Sequence, residues 1–149
     1  MTESDVWRRC VHFLIDAGYQ IHCGSPPGST SYAFKNCILI RGEILDSPDI
    51  IFSMDSVIYL CECKATLKKL YEKNRHGEND IDKLRRLVLD AQRGYYNDQL
   101  LHNYGVTVNS DTMFRPCICY PGDVSTSSLD CAHMVVTENS VNLILSRAT

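Results

Sequence analysis

Residues 48–64, with the sequence Pro-Asp-Ile-Ile-Phe-Ser-Met-Asp-Ser-Val-Ile-Tyr-Leu-Cys-Glu-Cys-Lys, decide the fold that we expect for this chain. Two apolar runs flank the turn-forming residues 54–56, a pattern typical of an antiparallel β-hairpin. If the hairpin closes symmetrically about this turn, residues whose numbers add to 111 face each other. Asp49 then lies directly opposite Glu62, and the sequence predicts two acids side by side at the open end of the hairpin.

Paired acids at this position predict a metal site. Directly opposed residues have Cβ atoms about 5 Å apart, and like charges at that distance destabilise a sheet unless a positive charge sits between them. Mg²⁺ prefers carboxylate oxygens, so Asp49 and Glu62 with a main-chain carbonyl make a plausible open site. Because side chains alternate along a strand, Lys64 points the same way as Glu62 and is expected beside the metal-bound water.

Two motifs carry a resemblance to a known family. Pro48-Asp49, twelve further residues and then Glu62-Cys63-Lys64 resemble the signature of the PD-(D/E)XK nuclease superfamily. Gln92-x-x-x-Tyr96 is similar to the additional motif of its RecB-like and lambda-exonuclease-like branch. In that branch, the resemblance implies, Gln92 and Tyr96 help to hold the catalytic strand and position the substrate backbone near the metal.

The resemblance also implies a fold and an activity. The fold is α/β with a restriction-endonuclease-like core, in the order helix, three strands, helix, strand, and with a central mixed sheet flanked by helices. The activity is Mg²⁺- or Mn²⁺-dependent hydrolysis of phosphodiester bonds, with DNA the expected substrate. Asp49, Glu62 and the Cys63 carbonyl would bind metal, and Lys64 would orient or deprotonate the attacking water or stabilise the transition state.

Further acids are candidates for completing the metal shell. Glu43 precedes the hairpin and is the auxiliary acid that we select. The apolar stripe of residues 4–17 predicts a first helix, in which nucleases of this family often place such an acid. Glu3, Asp5 and Asp16 are all candidates there, and the sequence does not choose among them.

A basic segment follows Lys64. Residues 64–93 contain nine of the fifteen Lys and Arg, although the whole chain carries a formal charge of −3. Phosphate binding needs only a local patch, because salt screens distant charges. We therefore predict nucleic-acid contacts from exposed basic side chains in this segment, namely Lys68, Lys69, Lys73 and Arg93.

The remaining pattern predicts the other elements of a single domain spanning residues 1–149. We expect a strand at 38–40, a helix from Asp80 to about His102, a fourth core strand at 113–120, and a closing hairpin from 133–136 and 141–145. Two turn-rich stretches, the Pro- and Gly-rich one after Cys23 and the Ser-rich one at 123–130, are expected to be loops, as is the segment 74–80.

The eight cysteines are dispersed, mostly within apolar runs, and such cysteines usually pack as small buried hydrophobes. Some RecB-like nucleases hold an iron-sulfur cluster, for which the resemblance suggests Cys10 or Cys23 with Cys117, Cys119 and Cys131. The Cys-x-x-Cys pair common in such sites is absent from the sequence.

Three alternatives remain open from the sequence. The fold includes RNA endonucleases of the cap-snatching type, in which His12 or His22 would become metal ligands. A nucleic-acid-binding or assembly module could retain the fold without catalysis, and a cysteine-based metal or redox protein would need clustered thiols.

The chain shows no signal peptide and no apolar run of membrane-spanning length, which predicts an intracellular, cytoplasmic protein that does not enter a membrane, with a nuclear location still open. Without an appended DNA-reading or helicase domain, a homo-oligomer or a helicase or other DNA-processing partner is expected.

Overall fold

The computed structural model describes residues 1–25, 34–75, 77–122 and 131–145. Most of the predicted loop after Cys23, the whole Ser-rich loop at 123–130, and His76 within the segment 74–80 lie outside these residues. The elements of the described chain are α1 (Glu3–Asp16), β1 (Gln20–Gly24), β2 (Leu39–Arg41), β3 (Ile44–Asp46), β4 (Ile50–Met54), β5 (Val57–Cys63), a 3-10 helix (Leu67–Tyr71), α2 (Asp80–Gln92), α3 (Asn97–Tyr104), β6 (Met113–Pro121), β7 (Ala132–Val136) and β8 (Val141–Ile144).

Within the described ranges, six strands form one mixed sheet in the order β1-β4-β5-β6-β7-β8. The β5–β6 and β6–β7 pairs are parallel, and the other neighbours are antiparallel. Strands β2 and β3 form a separate two-stranded sheet. The predicted α/β class with a central mixed sheet and flanking helices is therefore confirmed.

The β4–β5 hairpin has the register predicted from the sequence. Ile50 pairs with Cys61 and Met54 pairs with Val57, so the residue numbers add to 111 in each pair. The turn is completed by Asp55, whose φ of 56° lies in the left-handed region. The ladder ends at the Ile50–Cys61 pair, and Asp49 departs from this register, because its main-chain N–H also donates to the carbonyl of Cys61, at 2.9 Å.

Alternation along β5 divides the core into two layers on the two faces of the sheet. Ile58 and Leu60 pack on the face covered by α2 and α3. Tyr59, Cys61 and Cys63 pack on the opposite face, which α1 covers. The strict alternation places Glu62 on the α2 face, at the edge where the strand ends.

The predicted helix from Asp80 to about His102 is wrong as one element. The structure divides it into α2 and α3, because Gly94 adopts φ of +90° and breaks the helical path. A Cβ atom at Gly94 would lie 3.3 Å from the side-chain nitrogen Nδ2 of Asn97. The end predicted at Tyr104-Gly105 is confirmed, with Gly105 left-handed at φ of 68°.

The first strand of the main sheet also differs from the prediction. The predicted strand at 38–40 corresponds to β2, which belongs to the small sheet, whereas β1 supplies the main sheet's edge next to β4. Arg41 of β2 binds Asp90 of α2 at 2.7 Å, which attaches the small sheet to the helix face. The first helix, the strand at 113–120 and the closing hairpin are confirmed as α1, β6 and β7–β8.

Among the described residues, none of the helices combines the length and the apolar character needed to cross a bilayer.

Candidate active site at the open end of the hairpin

Five elements begin or end at the same end of the main sheet, and we refer to this end as the edge. Strand β4 begins there, parallel strands β5 and β6 end there, and helices α1 and α2 begin there. Crevices beyond the carboxyl ends of parallel strands are common ligand sites in open α/β sheets. Helix N-termini carry partial positive charge, so the two helix starts favour anions at this edge.

The side chains of Asp49 and Glu62 are in contact here, although the two residues are not paired in the β4–β5 ladder. Burial and the neighbouring Glu62 charge raise the pKa of Asp49 well above its usual range, although the Cys63 N–H donates to its Oδ2 at 2.7 Å. Burial likewise raises the pKa of Glu62, which is only 5% exposed. The raised pKa values favour a shared proton, with Asp49 donating a hydrogen bond to Glu62.

Lys83, in the first turn of α2, faces Glu62. Its Nζ forms an ion pair with Glu62 Oε1 at 3.3 Å. Burial acts to lower the pKa of Lys83, but the Glu62 carboxylate outweighs burial and the pKa is raised. Lys83 therefore supplies the positive charge next to Oε1 in the metal-free protein.

Lys64 continues from β5 between two helix starts. Its Nζ lies 2.6 Å from Asp80 of α2 and 3.6 Å from Glu3 of α1. Burial opposes the charged form, but the hydrogen bond to Asp80 and the nearby carboxylates outweigh it and raise the pKa of Lys64. The ammonium is thus held protonated near neutral pH.

Acidic charge exceeds basic charge in this group. We use the name acidic site for the four acids and two lysines that the described contacts join: Glu3, Asp49, Glu62, Asp80, Lys64 and Lys83. With all six ionised, the charge is −4 + 2 = −2. Clustered, partly buried carboxylates are the ligands that hard divalent cations such as Mg²⁺ and Mn²⁺ prefer.

The main chain of Asp49 is fixed on several sides. The Trp7 indole N–H donates to the Asp49 carbonyl at 2.8 Å, and so does the Ser25 N–H, also at 2.8 Å. The Lys64 N–H donates to the Cys119 carbonyl of β6 at 2.8 Å. These bonds hold both ends of the motif against α1 and the sheet, so the acidic side chains start from a fixed backbone.

Of the three helix acids, Glu3 is the one that lies next to Lys64, and Asp80 and Lys83 join the site although the sequence did not predict them there. The positions of Asp80 and Lys83 depend on how α2 packs on the sheet. A local sequence pattern does not predict this packing. The sequence indicates only that Asp80 and Lys83 lie on the same face of a helix, because they are three residues apart. Asn79 caps α2, accepting from the Asp82 N–H at 2.8 Å, which leaves Asp80 available to Lys64.

The other acids considered lie elsewhere. Glu43 is exposed in the turn between β2 and β3, and its side chain makes no hydrogen bond or ion pair with any part of the chain that the structure describes. The structure therefore does not bring it into the acidic site. Asp5 pairs with Thr2, the N-cap of α1, in a capping box. Asp16 ends α1, at the opposite end of that helix from Glu3.

Gln92 and Tyr96 are not brought to the acidic site. Gln92 ends α2 and binds the start of β6, accepting from the Phe114 N–H at 2.9 Å and donating to the Thr112 carbonyl at 3.1 Å. Phe114 pairs with Ile58, four residues before Glu62, which is roughly 13 Å along the strand. Tyr96 precedes α3 and is 1% exposed in the core. Because the helix breaks between them, the two side chains do not share a helix face.

The predicted nucleic-acid contacts divide between the two ends of α2. Lys68 and Lys69 are exposed on the 3-10 helix that follows Lys64, and Lys73 is exposed just beyond it. Arg93 is exposed at the C-terminal end of α2, away from the acidic site.

The two histidines of the cap-snatching alternative are separate from the carboxylates. His12 is exposed on α1. His22 of β1 contacts Ser53 at 2.7 Å, and burial lowers its pKa. Both His22 and Ser53 line a cavity of about 340 Å³ beside the β4–β5 turn, at the other end of the sheet, and none of the acidic-site residues lines it.

The cysteines suggested above as iron-sulfur ligands lie on both faces of the main sheet. Cys10, Cys117 and Cys119 are buried on the α1 face with two cysteines of β5. Cys23 and Cys131 belong to the layer on the other face. Only part of the suggested set therefore meets in the structure.

Comparisons of the chain with protein-family profiles, with curated proteins and with solved structures found no match.

Proposed function

We propose that this chain is a Mg²⁺- or Mn²⁺-dependent nuclease that hydrolyses phosphodiester bonds, with DNA as its substrate. The observation that carries the proposal is the contact between Asp49 and Glu62 within a group of four acids and two lysines. When the small β2–β3 sheet, the 3-10 helix and α3 are set aside, the elements up to β6 follow the order α1, β1, β4, β5, α2, β6. This agrees with the order helix, three strands, helix, strand that the motif resemblance implies.

The donor set supports a hard cation. Asp49 and Glu62 offer carboxylate oxygens, which hard divalent cations prefer, and Glu62 Oε1 already lies 3.3 Å from a cationic group, the Lys83 ammonium. The side chain of Cys63 packs on the α1 face, so only its main-chain carbonyl is a candidate ligand. A bound Mg²⁺ would lower the pKa of its water and polarise the phosphate.

The lysines are assigned roles as cations. Because the pKa of Lys64 is raised, its ammonium suits orientation of the phosphate and stabilisation of transition-state charge better than removal of a proton from water. Lys83 neutralises Glu62 in the metal-free protein. Glu3 replaces Glu43 as the auxiliary acid, because Glu3 contacts Lys64 and its charge reaches Asp49.

The position of the histidines favours DNA cleavage over the cap-snatching type of RNA endonuclease. In that alternative His12 or His22 would become a metal ligand, whereas His22 contacts Ser53 at the other end of the sheet and His12 is exposed on α1. The exposed lysines after Lys64 supply a surface for the phosphate backbone next to the acidic site.

The test is cleavage of labelled single- and double-stranded DNA and RNA by the purified chain in Mg²⁺, Mn²⁺ or EDTA. We expect metal-dependent cutting of DNA that falls at least about 100-fold in Asp49→Ala and in Lys64→Ala, since each removes a group assigned to the chemical step. Glu3→Gln should also reduce cutting. Asp16→Asn is the matched control, because Asp16 is an exposed acid at the far end of α1.

Calorimetry with Mn²⁺ on the wild type and Asp49→Ala distinguishes the remaining outcomes. Mn²⁺ binding at the acidic site without cutting of any substrate would favour a binding module that needs a partner. Neither binding nor cutting would remove the catalytic proposal.

A further inference from the structure

Five cysteines from three elements meet in the core beneath α1. Cys61 and Cys63 of β5 pair across the parallel ladder with Cys117 and Cys119 of β6, and Cys10 of α1 packs over them. All five are buried, with at most 1% exposure. We call these five residues the thiol cluster.

Three of the five sulfurs converge closely. The Sγ atoms of Cys61, Cys117 and Cys119 all lie within 4.8 Å of one another. Four thiolates around one tetrahedral zinc ion at Zn–S distances near 2.3 Å have sulfurs about 3.8 Å apart. A small inward movement of these side chains would therefore produce the spacing that a single ion requires.

The fourth ligand is best supplied by Cys10. The three converging thiols all rise from one face of the sheet, and a tetrahedral site needs its fourth ligand from above that face. Helix α1 covers the face there, and the Cys10 thiol is within hydrogen-bonding contact of Cys119. Cys63 also contacts Cys119 but rises from the sheet itself, further along β5.

The thiols interact with one another rather than acting only as small apolar groups. The Cys117 thiol lies within hydrogen-bonding contact of both Cys119 and Cys61. Thiolate is the form that binds metal. Soft sulfur ligands select zinc, copper(I) or iron over the hard cations that suit the acidic site.

We propose that Cys10, Cys61, Cys117 and Cys119 bind one zinc ion, which fastens α1 to the β5–β6 pair. Four thiols lose four protons to solvent, and one Zn²⁺ takes their place with a residual charge of −2. No oxidation or reduction is involved. The proposed zinc site is independent of the nuclease proposal, because none of its four ligands belongs to the acidic site.

The test measures the metal content of the untagged full chain, expressed with zinc in the medium, by mass spectrometry. We expect one zinc per chain in the wild type and less than a tenth of that in Cys117→Ala. Cys63→Ala is the matched control, since it removes an equally buried thiol of the same cluster and should keep the zinc. Asp49→Ala should keep it too, which separates this result from any failure of nuclease activity.

A second measurement does not depend on the folding of any variant. Wild-type chain, unfolded and stripped of metal, is refolded with Co²⁺, and the thiolate-to-cobalt charge-transfer absorption is recorded. A strong band, removed when an equivalent of Zn²⁺ is added, supports the site. A wild type that contains no stoichiometric zinc and gives no such band would overturn the proposal, as would iron in place of zinc or loss of zinc in Cys63→Ala.

Discussion

Asp49 is held in an unfavourable state in the metal-free protein. Its carboxyl group is partly buried against Glu62, and its pKa is raised well above the ordinary value of 3.8. The hydrogen bonds from Trp7 and Ser25 to its main-chain carbonyl keep Asp49 in place, although burial and the Glu62 charge disfavour its ionised form. Strain of this kind at a fixed position is common where a protein prepares a site for a ligand.

We expect Asp49→Asn to stabilise the metal-free protein at neutral pH. The amide oxygen can still accept from the Cys63 N–H, while the negative charge beside Glu62 is removed. Each unit by which the pKa of Asp49 is raised corresponds to roughly 1.4 kcal/mol. Urea unfolding in EDTA, at several pH values, measures the difference between the two proteins.

The sign of the pH dependence follows from the raised pKa. The proton on Asp49 stabilises the folded state fully below the unfolded pKa near 3.8, and this stabilisation is lost as pH rises through the folded pKa. The advantage of Asp49→Asn should therefore be absent in acid and increase with pH, and added Mn²⁺ should stabilise only the wild type. If Asp49→Asn is less stable than the wild type at neutral pH, the folded protein favours the ionised form of Asp49, contrary to this prediction.

The two ends of α2 have different roles. Its first turn brings Asp80 and Lys83 to the acidic site, and its last residue, Gln92, binds the main chain at the start of β6. One helix therefore connects the acidic end of β5 with the opposite end of β6. Gln92 of the Gln-x-x-x-Tyr motif therefore has a structural role that does not involve a substrate.

We expect Gln92→Ala to lower the free energy of unfolding by roughly 1–3 kcal/mol, because the Phe114 N–H and the Thr112 carbonyl both lose a partner. Gln92→Glu keeps an acceptor for Phe114 and should cost less. Unfolding in urea and the rate of DNA cutting at saturating substrate are measured together. A loss of cutting rate at unchanged stability would instead support the substrate-positioning role that the motif resemblance implies.

The β4–β5 hairpin was predictable from sequence because a two-residue turn fixes its register locally. Asp55 takes the left-handed conformation there, and every later pairing follows by counting. The helix break at Gly94 was not predictable, since the apolar stripe continues across it and an isolated glycine is often tolerated within a helix. Strand β1 was missed because Ile21 and Cys23 are too few apolar residues to show alternation.

The acidic site was predictable only in part, for a reason that concerns the whole molecule. Asp49, Glu62 and Lys64 lie on one hairpin, so pairing rules place them together. Glu3 and Asp80 reach Lys64 from helices on opposite faces of the sheet, and their meeting depends on how both layers pack. Tertiary packing of this kind has no signature in a short stretch of sequence.

Charge across the whole molecule makes DNA binding depend on a local surface. The chain has a formal charge of −3, so a polyanion must bind where exposed lysines are concentrated. We expect the triple replacement of Lys68, Lys69 and Lys73 by Gln to weaken DNA binding and to reduce the slope of log affinity against log salt by roughly 2–3. Fluorescence anisotropy in an Asp49→Ala background measures binding without cleavage.

Single replacements distinguish the effect of the local lysine surface on DNA binding from the effect of the chain's net charge. Lys69→Gln and Arg93→Gln change the charge of the chain equally, but Arg93 lies at the far end of α2. Lys69→Gln should therefore weaken binding more. Equal effects would indicate that the DNA-binding surface extends along the whole of α2.

Trp7 makes the acidic site visible to spectroscopy. It is the chain's one tryptophan, it is fully buried, and its indole N–H bonds to the carbonyl of Asp49. Ultraviolet emission from the unlabelled protein, excited at long wavelength to avoid tyrosine, therefore arises from a single environment beside the paired carboxylates. Ligand binding can be followed optically in the native chain, without a dye and without averaging over several indoles.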